Sequence, residues 1–193
     1  MSFAKHIDNV SMKISRITGT FTILRTIVPT NILLKLYFAL VYPHLTNHVV
    51  VWGSSPPSQL KKLLVRINTL LRTILGVTWV NGRPLLHNSE LYKQLRLMNF
   101  NSIYKLNLFK LLRQLLDGKL PEFWEMLLGN YIIPHTYNTR GVGFRHPNIS
   151  CEIERRALSF QLIMMIEELP SGILEISPKA SIKQMKKNLL AVQ

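Results

Sequence analysis

Residues 57–75 read PSQLKKLLVRINTLLRTIL, and this stretch decides the fold of the chain. At about 100° per residue its aliphatic residues fall within one arc of a helix, and its basic residues occupy the opposite arc. The apolar set is Leu60, Leu63, Leu64, Ile67, Leu70, Leu71, Ile74 and Leu75, and the basic set is Lys61, Lys62, Arg66 and Arg72. The pattern predicts an amphipathic helix with a proline at its first position, Ser55 or Ser58 as its cap, and Gly76 at its end.

Two further helices are predicted before this one. Apolar residues at alternating spacings of three and four predict a long amphipathic helix that Pro29 ends. Its stripe consists of Ile7, Val10, Ile14, Ile17, Phe21, Leu24 and Val28. The run from Ile32 to Trp52 is apolar almost all round, which predicts a covered central helix, capped by Thr30-Asn31 and kinked or split at Pro43. The uncharged stretch from Leu36 to Leu60 is interrupted by Pro43, His44, Asn47, His48, Gly53 and Pro56-Pro57, which argues against a membrane span.

The second half of the sequence predicts more helices and one irregular segment. Helices are expected from Ser89, over Ser102 to Leu116, from Pro121 to near Gly129, after a cap at Ser150, and in a basic stretch that a capping box at Ser181 opens. The prolines and glycines of residues 133–149 predict an extended basic loop instead. No alternation of strand period is sustained. The chain is therefore predicted to be all-α, with a helical bundle in residues 1–130 and a smaller helical region with the loop in residues 131–193.

The distribution of charge along the sequence limits the classes of function that the chain can have. Ten lysines and arginines precede Ser89, against a single carboxylate, Asp8, so the net charge of +14 divides into +9 before residue 90 and +5 from there on. The stretch before Ser89 therefore has too few carboxylates to hold Mg²⁺ or to supply paired acids for catalysis. The basic excess predicts a polyanionic partner and leaves open a nucleic acid, an anionic membrane surface or an acidic protein.

No catalytic, metal or cofactor site is predicted. His44 and His48 have the spacing of two zinc ligands on one helix, but no carboxylate or cysteine near them completes a site.

Cys151 is the only cysteine, so no internal disulfide forms, and a reducing compartment, nucleus or cytoplasm, is expected.

An ordered series of short motifs carries a family resemblance. It consists of His6-Ile7, Lys13-Ile14-Ser15-Arg16 with Gly19, Leu36-Tyr37, Tyr42-Pro43-His44-Leu45, Trp52-Gly53, Leu71-Arg72-Thr73-Ile74-Leu75-Gly76, Arg83-Pro84-Leu85, Tyr137-Asn138-Thr139-Arg140, Leu169-Pro170 and the lysine-rich final stretch. The series resembles the region downstream of the polymerase palm in jockey-like non-LTR (LINE) retrotransposon reverse transcriptases, over roughly His6 to Leu190. The chain departs from that pattern at Asn47-His48, where the family more often has an aromatic residue and then glycine, and at Ile166-Glu167, where Trp-Asn is common.

The resemblance implies a helical thumb that contacts nucleic acid and performs no chemistry. The family's RNA-directed DNA polymerase activity depends on aspartates of a Tyr-x-Asp-Asp strand in the palm, and this sequence has no such motif. The start at Met1 fits a truncated copy of such a transposable element. The resemblance predicts sequence-independent binding of an RNA–DNA hybrid or duplex, with no small-molecule substrate; the alternative is a helical interaction module that docks on an acidic protein or an anionic membrane.

Phosphate contacts are predicted on two helices and the loop. The proposed residues are Lys13, Arg16, Lys61, Lys62, Arg66, Arg72, Arg140 and Arg145. Such contacts hold the backbone of a nucleic acid and carry little base specificity. Tyr137 and Phe144 lie beside the loop arginines and are candidates for stacking on unpaired bases.

Overall fold

The computed structural model of the chain describes residues 3–77, 79–80, 83–84, 86–123, 151–170, 172–173 and 176–191. These residues are mainly helical, which confirms the all-α class, and they add one short antiparallel ladder that pairs Trp79–Val80 with Arg83–Pro84. The α-helices are α1 (Ala4–Leu24), α2 (Thr30–Leu36), α3 (Tyr42–Thr46), α4 (Val49–Trp52), α5 (Pro57–Leu75), α6 (Asn88–Leu95), α7 (Phe100–Leu116), α8 (Glu152–Arg155), α9 (Leu158–Glu168) and α10 (Pro178–Ala191), and a π-helical turn (Tyr37–Val41) joins α2 to α3. No helix within these ranges is long and apolar enough to cross a membrane.

The chain divides into two compact units. The first comprises Met1–Tyr104 with Asn188–Gln193, and the second comprises Lys105–Lys187. The first unit holds twelve lysines and arginines and two carboxylates, a formal charge of +10 out of the total of +14. The predicted boundary between residues 130 and 131 lies outside the described residues and stays a prediction.

Helix α5 has the predicted bounds but not the predicted cap. Its inward side buries Leu63, Ile67, Leu70, Leu71 and Ile74, and Gly76 ends it in the left-handed conformation at φ 71°. The residue at its N-cap is Pro56, and no side chain caps the helix, so the prediction of a serine cap was wrong. Pro57 takes the first helical position, where a backbone N–H has no acceptor within the helix, so the missing N–H of proline costs no hydrogen bond.

The run from Ile32 to Trp52 is not one helix. The main break falls at His48, whose φ of 52° separates α3 from α4, whereas Pro43 lies in the first turn of α3. A proline is tolerated there because the first helical N–H groups have no intrahelical acceptor. The prediction of a covered helix was also wrong on one side, since Phe38 and Leu40 in the π-helical turn are 51% and 44% exposed.

Several helix starts and ends differ from the prediction. Helix α1 stops at Leu24, before Pro29, and Thr26 Oγ1 there donates to the Ile23 carbonyl oxygen at 2.8 Å. The residue before a proline also avoids helical geometry. Helix α2 starts after Pro29 as its N-cap, so the Thr30-Asn31 cap was wrong.

The predicted caps in the second half are displaced by a few residues. Helix α10 begins at Pro178, which places Ser181 inside it, where the Ser181 hydroxyl donates to the Pro178 carbonyl oxygen at 3.0 Å. The N-cap of α8 is Cys151, not Ser150. The predictions for residues 124–129 and for the loop over 133–149 lie outside the described residues.

Trp52 is the central side chain of the first unit. It is 2% exposed, and its ring centroid lies 5.5 Å from that of His6 and 5.3 Å from that of Phe100. Its Nε1 donates to the Asn47 carbonyl oxygen at 2.8 Å. A buried indole with its one donor satisfied holds α1, α4 and the start of α7 in a fixed arrangement.

Candidate nucleic-acid interface

Helices α1 and α5 pack side by side and run in the same direction. Near their starts, Lys62 Nζ pairs with Asp8 Oδ1 at 3.0 Å. Just beyond their ends, the Arg25 guanidinium occupies the space where a Cβ on Gly76 would lie. Because the two starts meet and the two ends meet, the helices are parallel.

The side chains that these helices bury define an inward side. On α1 the buried apolar residues are Ile7, Val10, Ile14 and Phe21, and Ser11 is buried with them. The helical period of 3.6 residues per turn then places the basic residues of both helices on their outward half. The set, called here the basic face, consists of Lys5, Lys13, Arg16, Lys61, Lys62 and Arg66, all of which are exposed.

Asp8 is the only carboxylate before Glu90 in the sequence, and within the described residues it is the one that pairs with a cation of this face. Its pairing with Lys62 is exposed to solvent on both sides, so the pair adds little to stability. Lys13, Arg16 and Arg66 form no ion pair with any of the described residues. A surface of this kind repels itself and attracts a polyanion.

The residues predicted to contact phosphates do not all lie on the basic face. Lys13, Arg16, Lys61, Lys62 and Arg66 share the basic face. Lys5 was not among the predicted contacts, although the helical period alone places it beside them.

Arg72 lies apart from the other basic residues of α5. It is half-buried, and its Nη2 donates to Asn88 Oδ1 of α6 at 2.5 Å, so it links two helices. Arg140 and Arg145, with Tyr137 and Phe144, lie outside the described residues.

Beside the basic face, a groove of about 890 Å³ opens between α5, α6 and the start of α7. Its apolar walls include Leu60, Leu64, Val65 and Phe100. Four asparagines also line it, Asn68, Asn88, Asn99 and Asn101, and Lys61 is the one charged residue that the described part of the chain contributes to the lining. The sequence pattern did not indicate the groove, because it placed Leu60 and Leu64 in the core, whereas both are only half-buried.

Two of these asparagines have their side-chain oxygens engaged. Tyr92 Oη donates to Asn68 Oδ1 at 2.9 Å, and Arg72 donates to Asn88 Oδ1. Burial raises the pKa of Tyr92 to about 12, against a smaller lowering effect of Arg72, so its hydroxyl remains a donor at neutral pH. The Nδ2 amino groups of Asn68 and Asn88 are left as donors at the lining of the groove.

The histidines do not assemble a metal site in the described part of the chain. His44 lies in α3 and His48 in left-handed backbone after it, so the two do not share a helical face. The described residues contain no group of three histidine, cysteine, aspartate or glutamate side chains that could hold a metal ion.

No known protein-family model, curated protein or solved structure matches this chain.

Proposed function

We propose that this chain is a helical nucleic-acid-binding module, akin to the thumb region of a non-LTR retrotransposon reverse transcriptase, that grips a duplex or RNA–DNA hybrid by its phosphates. The observation that carries the proposal is the basic face, where two parallel helices present six exposed cations and one acid. The binding is not catalytic, since the sequence lacks the Tyr-x-Asp-Asp motif of the polymerase palm.

The dimensions of the face suit a duplex. The cations of the face lie between Lys5 and Arg16 on α1 and between Lys61 and Arg66 on α5, which at about 1.5 Å per residue is close to 17 Å along α1. A duplex of that length presents two strands of phosphates, with about one charge per 1.7 Å of axis. Long, exposed lysine and arginine side chains can adjust to such a lattice without reading bases.

Two glycines of the motif series, and one position at which the chain departs from the family pattern, have structural reasons that agree with the resemblance. His48, at the position where the family more often has glycine, is in the left-handed conformation that glycine adopts most readily. Gly53 packs against Tyr104, and a Cβ there would also lie 2.5 Å from the Val49 carbonyl oxygen. Gly76 is the left-handed cap of α5. These positions support the proposal because they concern backbone geometry, which a shared fold would preserve.

The experiment removes cations from the basic face. The variant Lys13→Ala/Arg16→Ala/Arg66→Ala is compared with Lys179→Ala/Lys183→Ala/Lys187→Ala, which makes the same charge change on α10. Affinity for an RNA–DNA hybrid is measured by fluorescence anisotropy between about 50 and 200 mM salt. Because each lost phosphate contact lowers the slope of log affinity against log salt by about 0.7 to 0.9, we expect the first variant to lose about 2 to 3 units of slope.

Circular dichroism first establishes that both variants are folded. A slope and affinity that stay unchanged in the first variant, or fall equally in both, would remove the basic face from the binding surface. DNA polymerase activity from the wild-type chain would contradict the non-catalytic assignment.

A second candidate is an anionic membrane surface, and one observation favours it. Met12 and Ile23 are exposed apolar residues on the outward side of α1, among its cations. Amphipathic helices bind anionic bilayers through this combination. Sedimentation with vesicles containing anionic lipid, run beside the hybrid assay, separates the two candidates.

A further inference from the structure

We propose that the groove between α5, α6 and the start of α7 holds an unpaired base of a nucleic-acid strand, with the adjoining phosphate on Lys61. The proposal rests on the proposed function and deepens it, because it assigns the apolar surface beside the basic face to a second part of the same ligand. It adds a single-stranded element to a surface that otherwise recognises only phosphates.

The groove has the size and lining of a small-molecule site. Its volume of about 890 Å³ falls within the range of about 300–1,000 Å³ that such sites occupy. Leu60, Leu64 and Val65 form an aliphatic wall along α5, and Phe100 contributes from α7. A flat ring that enters the groove leaves water for an apolar surface, which is favourable.

The polar atoms of the lining match the edge of a base. Asn68 and Asn88 are anchored through their oxygens, so their amino groups are available as fixed donors. Ring nitrogens and carbonyl oxygens of nucleobases are the acceptors that such donors bind. Tyr92 holds Asn68 in place and stays protonated, so this arrangement persists across the neutral pH range.

The charge of the lining favours a nucleotide over an acidic peptide. An acidic amphipathic helix carries several carboxylates and is best met by several cations along a groove. Among the described residues that line the groove, Lys61 is the single charged one, and the remaining polar residues are neutral. One cation with neutral amides fits one phosphate followed by an uncharged base.

Lys61 also connects the groove to the basic face. It belongs to the outward half of α5, with Lys62 one residue further along the helix. A strand whose paired part lies on the basic face can therefore continue past Lys61 and place its first unpaired base in the groove. The ligand expected to bind best is a duplex or hybrid with a single-stranded overhang.

The test compares three hybrids with the full chain: a blunt one, one with a short overhang carrying 2-aminopurine, and one whose overhang has an abasic site in place of that base. The abasic overhang keeps the phosphates and removes the ring. Since each stacked base typically changes affinity by a factor of about 5 to 150, we expect the 2-aminopurine overhang to bind about tenfold more tightly than the abasic one. The 2-aminopurine fluorescence should also change on binding.

The variant Val65→Trp fills the groove, and Ile23→Trp is its matched control, because both Val65 and Ile23 are more than half exposed on the outward side of their helices. We expect Val65→Trp to abolish the preference for the base-containing overhang and to leave affinity for the blunt hybrid nearly unchanged. Ile23→Trp should keep the preference.

Equal binding of the base-containing and abasic overhangs by the wild type would overturn the proposal. So would a preference that survives in Val65→Trp. If the wild type binds an acidic amphipathic peptide that Val65→Trp rejects, and shows no base preference, the groove belongs to a protein partner instead. In each of these cases salt-dependent binding of the blunt hybrid would still uphold the basic face, whereas failure of all three hybrids to bind would overturn the proposed function itself.

Discussion

His48 and Arg96 adopt left-handed backbone conformations, with φ of 52° and 51°, that glycine or asparagine would accept more easily. Arg96 ends α6 at the position where helices most often have glycine. A side chain with a Cβ in this conformation costs about 1 kcal/mol or more. The rest of the fold imposes these conformations, because local preference alone would not select them.

Replacing Arg96 by glycine should therefore stabilise the protein. We expect Arg96→Gly to raise the free energy of unfolding by about 1 kcal/mol relative to Arg96→Ala, which keeps the Cβ and removes the rest of this exposed side chain. Thermal or urea unfolding of the two variants measures the difference. A glycine variant no more stable than the alanine variant would show that Arg96 is not strained.

Two glycines should respond in opposite ways to the same substitution. Gly19 lies inside α1, and apart from the adjoining backbone of α1 itself no atom of the described residues lies within 4 Å of the position that a Cβ would take, so Gly19→Ala should stabilise by about 0.5–1 kcal/mol. At Gly53 a Cβ would clash with the Tyr104 ring and lie 2.5 Å from the Val49 carbonyl oxygen, so Gly53→Ala should destabilise by about 1–3 kcal/mol. Urea unfolding of both variants measures the effects, and equal signs would contradict the packing described at Gly53.

Asp117 gives a pH dependence of stability. A hydrogen bond from Lys119, with the further charges of Lys119 and Arg113, holds its pKa below the ordinary value of 3.8, against a smaller opposing effect of desolvation. A carboxyl whose pKa is lower in the folded state stabilises the fold above the unfolded pKa, and this contribution is lost as the pH falls through the folded pKa. We expect Asp117→Asn to be less stable than wild type at pH 7 and the difference to shrink below about pH 4. A difference that stays constant from pH 7 to pH 3 would assign the effect to packing.

At the scale of elements, the pairing of α1 with α5 creates the proposed binding surface. Each helix taken alone is an ordinary amphipathic segment, and their parallel contact, marked by Asp8 with Lys62 and by Arg25 with Gly76, places their cations on one face. The single acid in that face weakens it as a ligand for phosphates.

Removing this acid should strengthen nucleic-acid binding. We expect Asp8→Asn to bind the RNA–DNA hybrid more tightly at low salt and to steepen the salt slope by up to about 0.9, because Lys62 becomes available to one more phosphate. The cost in stability should be below about 1 kcal/mol, since the pair is exposed. Glu90→Gln, away from the basic face, is a control for loss of a carboxylate. Weaker hybrid binding by Asp8→Asn would contradict the placement of Lys62 on the binding surface.

At the scale of the whole molecule, the charge distribution predicts opposite salt dependences of stability and binding. The first unit has a formal charge of +10, so its folded state repels itself at low ionic strength. Sodium chloride between about 10 mM and 150 mM shortens the Debye length from about 30 to 8 Å and screens this repulsion. We expect the melting temperature to rise over this range while affinity for nucleic acid falls. A melting temperature that decreased with added salt would show that attractive ion pairs outweigh the repulsion.

Much of the fold can be predicted from the sequence where one helix carries a strong periodic pattern. The bounds of α5 and its glycine end follow from the 3.6-residue repeat and from the backbone freedom of Gly76, both of which are local properties. The starts of α2 and α10 could not be predicted in the same way, because Pro29 is the N-cap of α2 and α10 already begins at Pro178, three residues before the expected cap at Ser181. The break at His48 was also missed, because a histidine gives no sequence signal for left-handed backbone and the nearby proline lies inside α3.

The sequence by itself determined the all-α class, the scarcity of carboxylates and the cationic arc of α5, because composition and helical period need no knowledge of distant contacts. Only the tertiary structure decided which residues surround that arc. It joined Lys61, Lys62 and Arg66 to the cations of α1, placed Arg72 against α6, and left Leu60 and Leu64 at the wall of a groove. The physical reason is that burial and pairing depend on which surfaces meet in space, and residues far apart in the chain supply those surfaces.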